Sequence, residues 1–389
     1  MKLILRFLKY LFFAAVLIII IPYLTCPFYK YPDLQPFSGN LFYNPYEKLD
    51  SNAWRKANFH THTRQWIGIT AGSTNRVEEV VKKYREIKYD IIGISDYQSI
   101  NRFLESEPSF IPVYEHGYNA YKSHQLVIGA KDVNWIDYLL FQSFHNLQDV
   151  IRNLKKDNAV ISVNHPKLRN AYSTENLKYL RDYDLLEIAN HSYFNAADVW
   201  DTVLSNGNCV FALANDDNHD INDPQDYGYV FNMINSHKPE KEEVISALRY
   251  GRSFAVELEP QNDSSPQNKI RQANMIPVIT SCKIFTDTLE MRFNKDFDTL
   301  KLVGQYGIIK KIEHHNDTIR YVIQPDDTYI RAEINQGNKS NVFLNPVLRF
   351  NGELNRTSAE TDTQKTWFYR IIYLLIAAAI TIMYFRIRK

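Results

Sequence analysis

Hydrophobic and polar positions divide the chain into three regimes. The two ends are uncharged apolar runs, YLFFAAVLIIIIPYL from Tyr10 to Leu24 and IIYLLIAAAITIMYF from Ile371 to Phe385. The first stays apolar to Phe28, and Trp367, Phe368 and Tyr369 precede the second. A bilayer core takes about 20 apolar residues, so each run predicts a membrane span once flanking aromatics and snorkelling basic side chains are counted. A cleaved signal peptide is the competing reading of the first run and a buried core helix that of the second. No Ala-x-Ala pattern follows the first run, and Tyr-Leu-Thr-Cys is a poor lipoprotein box.

Between the spans the pattern changes twice. Residues 29–56 are rich in Pro, Tyr and Asn without a period and predict a linker packed on the domain surface. From Ala57 strands and helices alternate: NFHTHT is a strand, and Val77, Val80, Val81, Tyr84 and Ile87 mark a helical face. The strands DIIGIS, IPVY and HQLVIG follow. Then come helix NLQDVIRNLKKDN, strand AVISV, helix TENLKYLRDY, strand DLLEIA, helix FNAADVWDTVLSNG, strand CVFALA and helix PEKEEVISALRYG. This alternation through 57–259 predicts a parallel α/β unit, most simply a closed or nearly closed barrel. QNDSSPQNKIRQ reads as a polar linker, and short alternating strands from VITSCKIFT to VFLNPVLRF predict a small all-β sandwich over 275–351. Segments 1–28 and 367–385 complete the division as the two spans.

Charge orients the ends. Lys2, Arg6 and Lys9 precede the first span, and Arg386, Arg388 and Lys389 follow the second. The positive-inside rule then puts both termini in the cytoplasm and the intervening chain outside it, at a bacterial inner membrane. Eight of the 45 basic residues lie in 1–28 and 365–389; the remaining 37 face 44 acidic residues, so the middle carries a net charge of −7. That does not favour a polyanion binder, and no nucleic-acid partner is expected. Cys26, Cys209 and Cys282 form neither a disulfide framework nor a CxxC pair, and Cys209 reads as a buried strand residue.

The candidate chemistry sits at strand ends. His60 and His62 lie in NFHTHT, Glu115 in IPVYEHG, His124 in SHQLVIG, His165 in ISVNHPK, and Asp217 and His219 in ANDDNHD. On an extended segment residues i and i+2 point the same way, so the HxH and DxH pairs can each reach one metal cluster. Imidazole and carboxylate groups converging from separate strands are the raw material of a multinuclear hydrolytic site. Glu187, at the end of DLLEIA, is a candidate to orient a ligand histidine, and Asp216 reads as a cap or supporting partner. His116, His145, His191, His237, His314 and His315 read as supporting, surface or incidental, with His191 near the barrel mouth.

HxH, then Glu after a Pro-containing strand, then His, His-Pro and Asp-x-His, in that order, resemble the PHP (polymerase and histidinol phosphatase) family of metal-dependent phosphoesterases. The resemblance covers roughly 57–259, and ALRYGRSF is similar to the family's closing Ala-Leu-x-x-Gly-Arg segment. It implies a distorted (β/α)7 barrel in which two metals share a glutamate. His60, His62, Glu115 and Asp217 would hold one ion, and Glu115, His124 and His165 the other. Family members with three metals carry an Asp shortly after HxH and Asp-His after the second strand. Here TRQWIGITAG has no acid, and Tyr97 follows Asp96 where the His would stand, leaving His219 alone of the third set. The expectation is therefore two divalent ions, zinc or manganese rather than magnesium because imidazole suits borderline metals. Tyr97 and His219 are left to contact substrate or support the ligands. Arg252 and Lys167 are candidates to bind phosphate, with a surface role equally open. The β-region with TYIRAEI and FLNPVLR resembles the C-terminal extension of some larger PHP proteins.

The activity expected is hydrolysis of a phosphomonoester or phosphodiester by metal-activated water. Its substrate would be a phosphorylated small molecule or an envelope phosphoester, and its other partner the lipid bilayer at both termini. An extracytoplasmic address disfavours histidinol phosphate and polymerase proofreading. Two other classes remain open: a metal-retaining sensor or binding module, and a metallohydrolase acting on a non-phosphate bond.

Overall fold

The computed structural model describes residues 2–387 apart from 73, 192–194 and 355. Arg388 and Lys389, used above for orientation, and Phe194, the predicted start of one helix, lie outside the described residues. In chain order the elements are α1 (Lys2–Thr25), β1 (Tyr29–Lys30), β2 (Leu41–Tyr43), β3 (Trp54–Asn58), α2 (Val77–Glu86), β4 (Ile91–Ile92), β5 (Val113–His116), β6 (Gln125–Ile128) and α3 (Phe144–Leu154). There follow β7 (Val160–Val163), α4 (Thr174–Tyr179), β8 (Leu185–Asn190), α5 (Ala197–Ser205), β9 (Phe211–Asn215), β10 (Val230–Asn235), α6 (Lys241–Arg249), β11 (Ser253–Glu257) and α7 (Pro266–Met275). The last group is β12 (Ile279–Phe285), β13 (Thr288–Val303), β14 (Ile309–Val322), β15 (Tyr329–Asn335), β16 (Asn341–Leu344), β17 (Val347–Phe350), β18 (Glu360–Thr361) and α8 (Thr363–Ile387).

Among the described residues, two large open sheets and a two-stranded pair of β1 with β18, not a closed barrel, make up the β-structure. β5 to β9 make a five-stranded sheet in chain order. Within it β5/β6 and β6/β7 are antiparallel, and β7/β8 and β8/β9 are parallel. The departure from all-parallel pairing has a simple cause. Eight residues separate His116 from Gln125, as the bounds of β5 and β6 show, and a parallel crossover needs about a dozen. The second sheet has eleven strands along β12-β13-β15-β16-β11-β10-β3-β4, with β14, β17 and β2 branching from it. Only β3/β4 is parallel there.

This pairing corrects a second expectation. The C-terminal strands do not make a separate sandwich: β16 pairs with β11, Phe254 opposite Leu344, so they extend the sheet that carries the HxH segment. LEMRFN and TLKLVGQ fall in one long strand with a register shift between Arg292 and Phe297. The segment read as a polar linker contains α7, which the Ser265 side chain caps by accepting from the Asn268 amide at 3.3 Å, with Pro266 in its first turn. Residues 29–56 contribute β1, which pairs with β18, the branch strand β2, the start of β3 and the buried Tyr46, whose hydroxyl donates to the Ser253 carbonyl at 2.7 Å and accepts from the Asn345 amide at 2.7 Å.

Where β9 meets the large sheet, side-chain amides replace a ladder. Asn215 Oδ1 accepts from the Phe59 amide (2.8 Å), Asn58 Oδ1 from Asp216 (3.1 Å), Asn232 Oδ1 from Ala214 (2.9 Å) and Asn345 Oδ1 from Ala212 (2.8 Å). Buried backbone groups must be paired, and these four asparagines pair them without continuous β-structure. Only past the strand ends does backbone meet backbone: Asp217 N–H donates to the His60 carbonyl (2.9 Å) and His62 N–H to that of Asn218 (3.1 Å). On the other side Glu115 N–H donates to Asp96 (3.3 Å) and its carbonyl accepts from Gln98 (2.9 Å). The joints between the sheets thus fall where the candidate ligands are.

α1 and α8 are long and apolar enough to cross a membrane, with 0% and 6% of their apolar windows buried. Helices with so much apolar surface exposed are out of place in water and suit a bilayer. They leave the domain together: Phe28 stacks on Tyr369 at 4.7 Å, and Arg370 donates to the Thr25 carbonyl at 2.6 Å.

Candidate metal centre

The ligand histidines stand just beyond strands rather than on them. β3 ends at Asn58, and His60 and His62 follow on the segment that the Asp217 and Asn218 backbone holds. Glu115 lies on β5, His124 directly before β6, His165 two residues past β7, and Asp217 two residues past β9. His165 and Asp217 have φ of +26° and +53°, so the chain turns sharply at both.

The side chains converge on Glu115, which is fully buried. Glu115 Oε1 lies 2.8 Å from His124 Nδ1, 3.2 Å from His165 Nε2 and 3.2 Å from His60 Nε2, and Oε2 lies 3.3 Å from His62 Nε2. Asp217 Oδ1 faces the same side, 3.0 Å from His60 Nε2 and 3.2 Å from His62 Nε2. Four overlapping sets have ligand atoms within 4.8 Å of one another: His60, His62 and Glu115; Glu115, His124 and His165; His60, His165 and Asp217; His62, Asp217 and His219. His60 Nε2 and Glu115 Oε2, both buried, make no aligned hydrogen bond despite these short separations. Buried polar atoms normally find partners, so crowded donors and acceptors without hydrogen-bond alignment fit metal ligation.

A surrounding set of polar groups holds the ligands. Glu187 accepts from His60 Nδ1 (3.0 Å), the His165 amide (3.0 Å), Asn190 Nδ2 (2.9 Å) and Asn215 Nδ2 (2.9 Å). With its proton on Nδ1, His60 presents the Nε2 lone pair to the cluster. Asp96 accepts from the Thr63 amide (2.6 Å), the Thr63 hydroxyl (2.7 Å) and Asn101 (2.9 Å), so it braces the HxH segment rather than reaching the ligands. Asp216 accepts from the amides of Gly228, Tyr229 and Val230 at 2.8–3.0 Å and from the Tyr84 hydroxyl, fixing the entry to β10.

Tyr97 and His219 form the mouth. The Tyr97 ring stacks on His62 at 4.3 Å, and its hydroxyl is 3.2 Å from His219 Nε2. His219 Nδ1–H donates to the Asp217 carbonyl at 2.7 Å, which turns Nε2 toward Tyr97 as an acceptor. At 25% exposure the His219 side chain is the ligand candidate that solvent reaches; the others are at most 3% exposed.

Two residues are placed away from the chemistry. Arg252 donates to Ser246 Oγ at 3.0 Å, and its carbonyl accepts from Asn235, which pairs with Trp54 at the start of β3, the end opposite His60. β10 runs antiparallel to β3, so the turn into β11 carries Arg252 to the wrong side. Lys167 is held by the Asn195 carbonyl (2.8 Å) and Asp198 (2.7 Å).

Three residues escaped the sequence reading. Lys122 places Nζ 5.7 Å from the centre of the Tyr97 ring, a cation at the mouth. Gly72 and Gly117, with φ of +79° and +130°, back two ligands: an added Cβ would lie 2.7 Å from His62 Cβ and 2.6 Å from His124 Cδ2. Glycine in a strained segment beside a histidine was the available signal.

The charges explain one another. Burial alone would strip the proton from His60 and His62. Asp217, Glu115 and Glu187 outweigh that for His60 and hold it well above its ordinary value; Asp217 and Glu115 raise His62 to about 9. Burial would likewise favour neutral Glu115 and Asp217, yet the facing imidazoles keep both well below the carboxylate range. Burial wins at His124 and His219, which are lowered.

No protein-family model matches this chain. No curated protein matches it either. A crystal structure from Bacteroides vulgatus ATCC 8482, of a two-domain protein containing a predicted PHP-like metal-dependent phosphoesterase, aligns with 85% of this chain and 98% of that one. The sequence identity is 15% and the TM-score 0.42, a likeness that decides neither fold nor chemistry.

Gly117→Ala should displace His124 and weaken metal binding by about tenfold or more, as changes beside a ligand do. Titration with zinc against a chelator checks it, and unaltered affinity refutes the bracing role of Gly117.

The metal-free protein should respond to pH with a definite sign. The raised pKa of His62 stabilises the fold fully below its ordinary 6.5, and this contribution is lost as pH rises toward about 9. The depressed Glu115 contributes above its ordinary 4.5 and loses that as pH falls. Metal requires the deprotonated imidazoles, so its affinity should rise over the same interval in which the metal-free Tm falls, with release of about two protons at neutral pH. Melting curves with and without metal from pH 6 to 9.5 and calorimetry in two buffers give both slopes; parallel melting curves would exclude the scheme.

Proposed function

We propose that the chain is a membrane-anchored phosphoesterase with a dinuclear metal centre. The observation that carries this reading is the convergence of His60, His62, Glu115, His124, His165 and Asp217, each delivered from a different strand end or paired across one segment, with their ligand atoms buried and facing one another. Their order along the chain, which resembles the PHP pattern, adds the reaction class. Glu115 is read as the shared ligand, since it stands at the centre of the set, with Oε1 facing His124, His165 and His60 and Oε2 facing His62. Two ions are favoured over three because the Tyr97 hydroxyl engages His219 Nε2. The imidazole-rich donor set favours zinc or manganese.

When bound, divalent ions supply positive charge that polarises a phosphoryl oxygen and acidifies a water. The chain's own groups do the rest. Glu187 fixes the tautomer of His60, and Asp96 and Thr63 keep the HxH segment in place. Tyr97 and His219 share a proton between hydroxyl and Nε2 at the exposed mouth, where it can pass to a leaving oxygen. The Lys122 ammonium nearby attracts the phosphoryl group.

Purified full-length protein should hold about two ions per chain and hydrolyse phosphoesters in preference to carboxylic esters and amides. Glu115→Gln should lose both ions and at least about a hundredfold of turnover, because one substitution removes a ligand from each. Retention of both metals and near-normal turnover in that variant, or three tightly held ions in the parent, would overturn the assignment.

The domain is read as extracytoplasmic, on the basis of Lys2, Arg6 and Lys9 before α1 and the basic cluster after α8. A periplasm-dependent phosphatase reporter fused after residue 56 should be active and one fused at Lys389 silent. The reverse pattern would move the centre to the cytoplasmic face.

A further inference from the structure

Two strips of exposed apolar side chains flank the mouth of the centre. On the segment after the HxH motif, Trp66, Ile67 and Ile69 are 42%, 65% and 84% exposed; on the segment before α3, Trp135, Leu140 and Phe141 are 55%, 48% and 66% exposed. The Trp66 and Trp135 rings meet edge to face at 6.2 Å and join the strips. Single exposed apolar residues are ordinary, but a joined patch marks a binding surface. Both strips are tied to the centre. Trp66 Nε1 donates to the carbonyl of Tyr97 at 2.6 Å. The Tyr118 hydroxyl donates to the Trp135 carbonyl at 2.8 Å, and His116, adjoining Glu115, has Nε2 3.0 Å from the Ile136 carbonyl.

What covers this rim is indicated by the membrane helices. Tyr23, in the last turns of α1, packs edge-on against Tyr138 at 5.2 Å and against Phe141 at 6.0 Å, and its hydroxyl accepts from the Leu140 amide at 2.8 Å. Phe28, stacked on Tyr369 of α8, also meets His145 at 4.9 Å in the first turn of α3. α3 runs toward the start of β7, whose far end delivers His165, so the beginning of α3 lies on the side of the metal centre. Both helices therefore leave the domain beside the rim. Tryptophans at such a level, with Arg64 exposed and Lys122 at the mouth, match an interface of acyl chains and anionic head groups.

We propose that the rim sits in the bilayer interface and that the centre acts on the phosphoester of a lipid held in the same membrane as α1 and α8. This rests on the phosphoesterase reading and adds the substrate class. Water adds to phosphorus, the bond from phosphorus to the leaving oxygen breaks, and that oxygen takes up a proton, so no oxidant or second substrate is needed. A lipid reaches such a centre by lateral diffusion, its acyl chains remaining against the aromatic rim while the head group enters.

The test uses the full chain with its metals, reconstituted in phosphatidylcholine vesicles containing about 20% anionic phospholipid, with and without nitroxide-labelled acyl chains. Tryptophan fluorescence should be quenched, and Trp66→Phe/Trp135→Phe should remove the larger part of that quenching, leaving the part due to Trp367. Turnover of phospholipid in the vesicle should exceed that of a water-soluble phosphoester. The double variant Ile69→Ser/Phe141→Ser should lower vesicle turnover by about tenfold while leaving soluble turnover within about twofold, as loss of interfacial apolar area predicts. Equal quenching in parent and Trp variant overturns the inference, and so does equal loss on both substrates at unchanged metal content. A parent that hydrolyses soluble phosphoesters and ignores lipid overturns it while sparing the phosphoesterase reading. Failure on every phosphoester, with two metals bound, refutes that reading itself, and the quenching result stands apart from it.

Discussion

Burying His60, His62, Glu115, His124, His165 and Asp217 in one place is the constraint on which the rest of the domain depends. Each charged group alone would cost several kcal/mol to remove from water, and only mutual compensation makes the cluster tolerable. The compensation is visible at two levels. Carboxylates and imidazoles face one another at 2.8–3.3 Å, and Glu187 behind them takes four hydrogen bonds, two from backbone-adjacent groups that cannot move independently of β8 and β9. The same groups sit at the joints between the sheets, where Asp217 and His60 exchange a backbone hydrogen bond. Assembling the sheets and assembling the ligands are thus one event. A chain with the cluster disrupted loses part of what closes β9 against the large sheet.

Placement of the candidate ligands at strand ends is legible because it depends on local order alone: a short apolar run, then a histidine or acid. CVFALA and AVISV each lead, through an asparagine, into such a residue, and the apolar run marks where the buried strand stops; in DLLEIA the supporting Glu187 lies inside the strand itself. Pairing is not local. The asparagine side chains that replace a ladder along β9 look, in sequence, like any buried or turn asparagine, and only their joint alignment shows the seam. For the same reason the C-terminal strands looked like a module of their own. Nothing in VFLNPVLRF states that Leu344 will lie opposite Phe254.

Arg252 shows the cost of reading a motif without its direction. A helix ending in Tyr-Gly-Arg before a strand has the same appearance at either end of a sheet. The side on which it falls is set by β10, a strand the periodicity did not separate from the loop before it, and one strand too few reverses the sense of everything after it. α7 was hidden differently. With few apolar residues it has no stripe to detect, and its evidence was the Ser265-Pro266 start.

The geometry of the mouth constrains what can enter. Four candidate ligand histidines are almost wholly enclosed; the more exposed His219 and Tyr97 lie beside them, and Trp66, bonded to the Tyr97 carbonyl, meets Trp135. A small, fully hydrated phosphate would gain little from such a border, since aromatic rings offer it neither charge nor hydrogen bonds. On the proposed reading, a phosphoester with an apolar body would gain at both ends, its head near Lys122 and the centre and its body against the rings. On the proposed lipid reading, the border also accounts for the placement of the two long apolar helices. One span at either end of the chain would suffice to tether a domain that works on soluble molecules, and its orientation to the bilayer would not matter. Here α1 and α8 are joined to each other by Phe28, Tyr369 and Arg370 and to the rim through Tyr23. On the proposed reading, two joined supports would fix the direction in which the rim faces, toward the membrane that would carry the substrate.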